Sequence, residues 1–199
     1  MRRVLDLVVM NAGINGWPLS ALPLEETVTA LSGDGVDIGV ARHVIMIFSS
    51  TPPPADGDAT MSQAEVALDA RRVCTEKAAA LLEKQPMWRL DEFMIAWTST
   101  CPEGMPPQQD MLRGLALLDP QGADFTVSAF LASELAPKPK DRFAMLFTRK
   151  ERWTRAELEP YLQHVEEAGA SIDALLLTWC RRSQGSASEP EIYTQRHAA

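Results

Sequence analysis

The chain has 199 residues, 46% of them hydrophobic and 23% charged, which is material for one large domain or two to three small ones and excludes a disordered chain. Its net charge of −8 divides into 11 Lys/Arg against 18 Asp/Glu over residues 1–140 and 8 against 9 over residues 141–199. A strongly basic nucleic-acid-binding domain is therefore excluded, and a nucleic-acid role has to rest on a local patch.

The apolar run Leu5–Met10 follows Arg2 and Arg3 and meets polar Asn11 and Asn15, so it reads as a core helix and not as a signal peptide. No apolar run approaches the roughly 18 residues of a membrane span. Val4 to Met10 thus predicts a first helix, ended by Gly13 and Gly16 before Trp17. Pro23 suits the start of a second, with Glu25 and Glu26 near its positive end; Leu24, Val28 and Leu31 share a face until Gly33 and Gly35 stop it. Val36 to Phe48 predicts a third helix. Ser49 to Thr60, with three consecutive prolines and Asp56-Gly57-Asp58, predicts a loop or linker.

Two starts are open for the next helix. Ser62 and Glu65 would form a capping box and begin it at once; alternatively Val66 and Leu68 end a short strand and Asp69 is the cap. In either case Val73, Ala80 and Leu81 lie on one face and Pro86 ends the run. After Trp88, Asp91 caps a helix carrying Phe93, Met94, Ile95 and Trp97, which Cys101-Pro102-Glu103-Gly104 breaks. Gln108 to Arg113 predicts a short helix closed by Gly114. The apolar Leu115–Leu118, a turn at Asp119-Pro120-Gln121-Gly122, and Phe125, Val127 and Ala129 alternating with Thr126 and Ser128 predict a β-hairpin.

Residues 139–199 repeat this order. Phe143, Leu146 and Phe147 stand at i, i+3, i+4, and Trp153 follows. Thr154 and Glu157 form a capping box ahead of Leu158, Tyr161, Leu162 and Val165, with Pro160 predicting a kink or a later start. Gly169 ends this helix. Ser171 caps the next, whose face is Ile172, Leu175, Leu176 and Trp179 and whose end carries Arg181 and Arg182. Gln184 to Pro190 is polar, and Glu191 to Gln195 predicts a final strand.

Three tryptophans mark a repeat. Trp88-Arg89-Leu90-Asp91-Glu92-Phe93 and Trp153-Thr154-Arg155-Ala156-Glu157-Leu158 each read Trp, three residues, Glu, then an apolar residue. A fainter copy, Trp17-Pro18-Leu19-Ser20-Ala21-Leu22, lies 71 residues before Trp88, and Trp153 lies 65 after it. Helix, Trp, helix, turn, helix, hairpin is the order of a helix-turn-helix with a β-wing. The expected fold class is mainly α with small β-hairpins (α+β), as three tandem winged-helix domains over residues 1–60, 61–138 and 139–199.

Asp91-Glu92-Phe93 to Trp97, Cys101-Pro102-Glu103-Gly104-Met105, Leu112-Arg113-Gly114-Leu115-Ala116-Leu117-Leu118-Asp119, Arg142-Phe143, Leu146-Phe147 and Trp153 to Tyr161-Leu162 together resemble one family, the sister chromatid cohesion subunits of the alternative replication factor C clamp loader. The Pro-Glu-Gly-Met and Glu-Pro-Tyr-Leu elements are the most specific. The likeness is strong from about Arg71 to Arg182 and weaker over residues 1–60. It implies three winged helices, a nuclear and non-catalytic role, and contact with the catalytic subunit of DNA polymerase epsilon and with DNA. In the family an N-terminal half assembles with the other clamp-loader subunits; the chain omits that region, so the resemblance does not carry this attachment over.

The cations Arg149, Lys150, Arg152 and Arg155 flank the third tryptophan, Arg181 and Arg182 close the last helix, and Arg196 lies in the tail, all in the domain whose third helix and wing would meet nucleic acid. Phosphate contacts need cations but no base readout, so sequence-independent DNA binding is expected of this cluster. Arg181 and Arg182 equally suit a helix C-terminus, and Glu151, Glu189 and Glu191 dilute the patch. Trp17, Trp88 and Trp153 could anchor a partner, but their repeated position at the entry to each second helix favours core packing; Trp97 and Trp179 read as core too.

The three cysteines, Cys74, Cys101 and Cys180, are odd in number and widely spaced, which favours reduced thiols in an intracellular compartment. No pair has ligand spacing and His43, His164 and His197 are isolated, so neither a metal nor another cofactor is expected. Gly33-Asp34-Gly35 with Gly39 departs from the dinucleotide fingerprint, and no nucleophile stands with a base, so the chain is not expected to be an enzyme. The reading is a replication accessory protein linking the clamp loader to polymerase epsilon and DNA in support of sister chromatid cohesion. A protein-only interaction scaffold, favoured by the acidic balance, and a winged-helix transcription regulator remain open.

Overall fold

The computed structural model describes residues 1–50, 65–122, 124–163, 165, 171–184 and 189–196. The proline-rich stretch after Ser50, Ser62 of the first capping box, His164, Gly169, His197 and most of the polar stretch before Pro190 lie outside the described residues. The fold is mixed α+β, with eight α-helices and small antiparallel sheets among the described residues. It forms two compact units, Met1–Lys84 with Asp91–Met111 and Gln85–Leu90 with Leu112–Ala199.

In the first unit, α1 (Arg2–Asn15) runs through Gly13 and ends at Gly16, whose φ of 67° is the left-handed cap that glycine adopts without a Cβ clash. Next come β1 (Leu22–Pro23), α2 (Leu24–Gly33) and α3 (Ile38–Ile47), the last capped by the Asp37 carboxylate accepting from the Val40 N–H at 3.1 Å. β2 (Glu65–Val66) pairs antiparallel with β1, Leu22 opposite Val66, and Ser49 bridges Leu68. The second of the two possible starts is used for α4 (Ala70–Lys84), because Asp69 accepts from the Arg72 N–H at 3.1 Å. Its buried face is Val73, Cys74, Ala78 and Leu82, while Ala80 and Leu81 are half-buried. α5 (Leu90–Thr100) begins two residues before the start that a cap at Asp91 predicts, so Asp91 sits in its first turn and not at its cap. The indole Nε1 of buried Trp97 donates to the Cys74 carbonyl at 2.8 Å and ties α5 to α4.

The second unit holds two three-stranded sheets. β3 (Met87–Arg89), β4 (Ala116–Gln121) and β5 (Asp124–Ala129) are ordered β3-β5-β4, with Trp88 opposite Val127. The hairpin is longer than predicted, since Asp119, Pro120 and Gln121 belong to β4 and the turn is left to Gly122, at φ 63°. Pro120 is tolerated because β4 is an edge strand. Instead of the helix expected over Gln108–Arg113 there is a 3-10 turn at Gln109–Leu112, before Gly114 at φ 80°. α6 (Pro139–Arg149) starts on its proline. β6 (Trp153–Thr154) leads into α7 (Arg155–Leu162), which begins at Arg155 in spite of Pro160 because Thr154 and Glu157 complete the capping box ahead of it. α8 (Ile172–Trp179), capped by Ser171, is followed by β7 (Cys180–Ser183) and β8 (Ile192–Gln195), in the order β6-β8-β7. Both sheets therefore place the third strand of the repeat between the first and second.

The core of the second unit gathers Phe143, Leu146, Trp153, Leu158, Tyr161 and Leu175. Inside it lies a cation. Arg142 is 3% exposed and donates to three backbone carbonyls, of Leu135 at 3.0 Å, Ala136 at 2.6 Å and Tyr161 at 2.6 Å. Burial lowers its pKa from the ordinary arginine value. Replacing it by methionine keeps the side chain's reach but strands those carbonyls without donors. Arg142→Met is expected to destabilise the chain by about 3 kcal/mol in urea denaturation followed by tryptophan fluorescence; an unchanged midpoint would show that the three bonds are dispensable.

Candidate nucleic-acid interface

The structure places all seven predicted cations in the second unit but separates their environments. Arg149, at the end of α6, is half-buried and donates to Asp119 Oδ2 of β4 at 2.6 Å and to Ser128 Oγ of β5 at 2.5 Å. This contact explains why Ser128 is 6% exposed although simple alternation turns it outward. Phe125, expected inward, is 47% exposed next to the hairpin turn.

Lys150 Nζ pairs with Glu157 Oε1 at 2.6 Å and lies 5.4 Å from the centre of the Trp153 ring. Arg155 pairs with Asp173 at 2.5 Å, and Arg182 with Glu191 at 3.0 Å. Arg196 donates to the Leu177 carbonyl at 2.9 Å. Arg152 and Arg181 are exposed and, among the described residues, have no ion-pair partner. The structure brings these two together in one groove of about 520 Å³ with Phe147, Glu151, Thr194 and Gln195.

Helix α8 ends at Trp179, so Arg181 and Arg182 lie on strand β7 and not at a helix C-terminus. Successive strand residues face opposite sides, so Arg181, opposite Thr194, lines the groove while Arg182, opposite Tyr193, turns away. β8, which carries Thr194 and Gln195, agrees with the strand expected over Glu191–Gln195, whereas β7 and the groove it forms were not expected; the available signal was the Arg181–Ser183 polar run facing that last strand.

Of the three tryptophans, Trp153 is fully buried, while Trp88 and Trp17 are half-buried. The indoles of Trp88 and Trp153 donate to the carbonyl three residues back, Gln85 at 2.8 Å and Lys150 at 2.7 Å. Each stands two residues before a helix start, at Leu90 and Arg155. Trp17 is out of register: Leu22, fully buried, holds that position before α2. Trp97 is core as expected, and Trp179 is half-buried, stacked on Phe143 with ring centres 6.1 Å apart.

The charge divides unevenly. The first unit has 7 Lys/Arg against 15 Asp/Glu and the second 12 against 12, so the whole −8 resides in the first. Among the described residues no group of three or more His, Cys, Asp or Glu is placed to hold a metal ion, and no helix is long and apolar enough to cross a membrane.

The geometry is that of an α+β protein built from repeats of helices and a small sheet, with an arginine-bearing groove on its last hairpin. The family model of sister chromatid cohesion protein Dcc1 matches residues 1–162, and the chain belongs to that family, which acts in sister chromatid cohesion. The zebrafish sister chromatid cohesion protein, from Danio rerio, is 30% identical over 91% of this chain and 45% of its own length. The Xenopus laevis protein is 27% identical over the same shares, and the probable counterpart in Dictyostelium discoideum is 25% identical over 97% of the chain and 55% of its own. The chain thus spans about half the length of these curated relatives. The family match agrees with the resemblance carried by Pro102-Glu103-Gly104-Met105 and Glu159-Pro160-Tyr161-Leu162; Arg181, Arg182 and Arg196 lie beyond the matched residues.

Glu157 ties this region together. Burial pushes its pKa up, but the bond from Lys150 and the donors of Thr154 outweigh burial and hold it below its ordinary 4.5. A depressed carboxylate stabilises the fold above the unfolded pKa and loses that contribution as pH falls through the folded one. Wild type is expected to exceed Glu157→Gln by up to about 1 kcal/mol at neutral pH, a ceiling set by the pair's partial exposure. The difference should shrink below roughly pH 4 in denaturation curves taken across pH; a constant gap would remove the titration from the account.

Proposed function

We propose that this chain is a non-catalytic replication accessory protein of three winged-helix domains over residues 1–60, 61–138 and 139–199. In the nucleus it links an alternative replication factor C clamp loader to the catalytic subunit of DNA polymerase epsilon and to DNA, in support of sister chromatid cohesion. Family membership supports the cohesion role. The winged-helix reading is supported by the recurring order of helix, short strand, helices and hairpin, and by the shared strand order of β3-β5-β4 and β6-β8-β7.

The observation that carries the DNA half is the pairing of exposed Arg152 and Arg181 in one groove of the unit that has no net charge. Contacts of this kind neutralise phosphates and release counterions without reading sequence. A second reading, a protein-only scaffold, is favoured by the carboxylate partners of Arg149, Lys150, Arg155 and Arg182.

A salt titration separates the two. With fluorescently labelled duplex DNA, log affinity against log salt is expected to be linear with a slope of about −2 to −4, and permuted sequences of equal length should bind alike. No binding at the lowest salt would leave the protein-only scaffold. Strong preference for one sequence would point to a transcription regulator.

A further inference from the structure

The last repeat carries two surfaces that could meet a nucleic acid, the exposed face of α8 and the groove beside its hairpin, and their chemistry differs. On α8 the exposed residues are Asp173, Ala174, Leu177 and Thr178. Asp173 is an anion held by Arg155, and the Thr178 hydroxyl is spent on the Ala174 carbonyl at 2.8 Å. Leu177 is 75% exposed. Bidentate contacts to purine edges in the major groove are made by Arg, Lys, Asn and Gln, and this face offers none of them; it would bring a carboxylate toward the phosphates.

The groove has the opposite character. Arg152 and Arg181 supply two cations, and Glu151 is the one carboxylate among the described lining residues; the Thr194 hydroxyl donates to the Arg181 carbonyl at 3.5 Å, which leaves the Gln195 amide as the further donor. The antiparallel register sets Arg181 against Thr194 and so fixes both on the groove side of the sheet. Phosphate oxygens accept from all these donor types.

We propose that the last repeat holds DNA by this groove, with Arg152 and Arg181 on backbone phosphates, and that the outer face of α8 stays off the bases. The inference rests on the DNA-binding reading given above and adds to it a mode of engagement: hairpin side inward, helix side free. Binding of this kind is indifferent to sequence because none of its donors reaches a base edge.

The test uses the full chain and short duplex DNA at low salt, followed by anisotropy, with circular dichroism to confirm folding. Arg152→Ala and Arg181→Ala remove exposed side chains. Each is expected to weaken binding on the order of tenfold and to reduce the salt slope by about one. Leu177→Asp adds an anion to α8 and is expected to leave the dissociation constant within about twofold, since a charge outside the contact is screened. If Leu177→Asp abolishes binding while both arginine variants bind normally, the helix face is the contact and the groove assignment is overturned with DNA binding intact. If the wild-type chain binds no DNA at all, both the groove and the reading beneath it fall.

Discussion

A guanidinium can leave water only when its N–H groups find acceptors, and an unpaired buried cation costs several kcal/mol. Arg142 meets this condition with three backbone carbonyls and, among the described residues, no carboxylate. The carbonyls of Leu135 and Ala136 belong to the segment leading into α6, and that of Tyr161 to the end of α7. One side chain thereby fixes the entry to the third repeat against its second helix. Trp153 and Tyr161 pack around the same point, their rings 5.8 Å apart, with Phe130 5.1 Å from Tyr161. Trp153 begins β6 and directly follows Arg152, so one side of the candidate interface adjoins the core that Arg142 helps to hold.

Seven cations close in sequence look like one electropositive surface, but folding gives each a different electrostatic meaning. An arginine beside a carboxylate has most of its field cancelled at a few ångströms, and in water a pair at this exposure adds little stability. Arg149 is spent on Asp119 and Ser128, where it joins α6 to the hairpin of β4 and β5. Lys150 is spent on Glu157 and the Trp153 ring. What remains for a ligand is the small remainder left by these pairings. That remainder is local, because the second unit as a whole is neutral.

Legibility in the sequence followed the range of the interactions. Caps are set by residues three apart, so the Thr154–Glu157 box and Ser171 could be read directly, and Asp69 stood as one of two alternatives. The strong period of the later helices gave their faces, and alternation gave β5. What could not be read depended on partners far along the chain. Strand β7 exists because it pairs with β8, further along the chain, and Cys180-Arg181-Arg182-Ser183 shows no apolar alternation of its own. Ser128 is buried only because Arg149, 21 residues later, lies on it. The tryptophan repeat fails in its first copy for a related reason: the site before α2 needs a buried apolar side chain, and Leu22 fills it as well as a tryptophan could.

The separation of charge between the units bears on how a DNA contact of this size would be used. Fields from exposed charges decay over about 8 Å at physiological ionic strength, so a neutral unit does not attract DNA from a distance. The acidic first unit, at −8, opposes approach. Arg152 and Arg181 then act only at contact range, and their binding free energy must offset the translational and rotational freedom lost on association. Tethering removes most of that cost, because a linked contact works at an effective concentration near the millimolar range. Under the proposed function the polymerase provides the tether. A weak, sequence-blind groove suits that role, since it can be released and re-formed as the duplex moves past, whereas a tight site would hold the chain to one stretch of DNA.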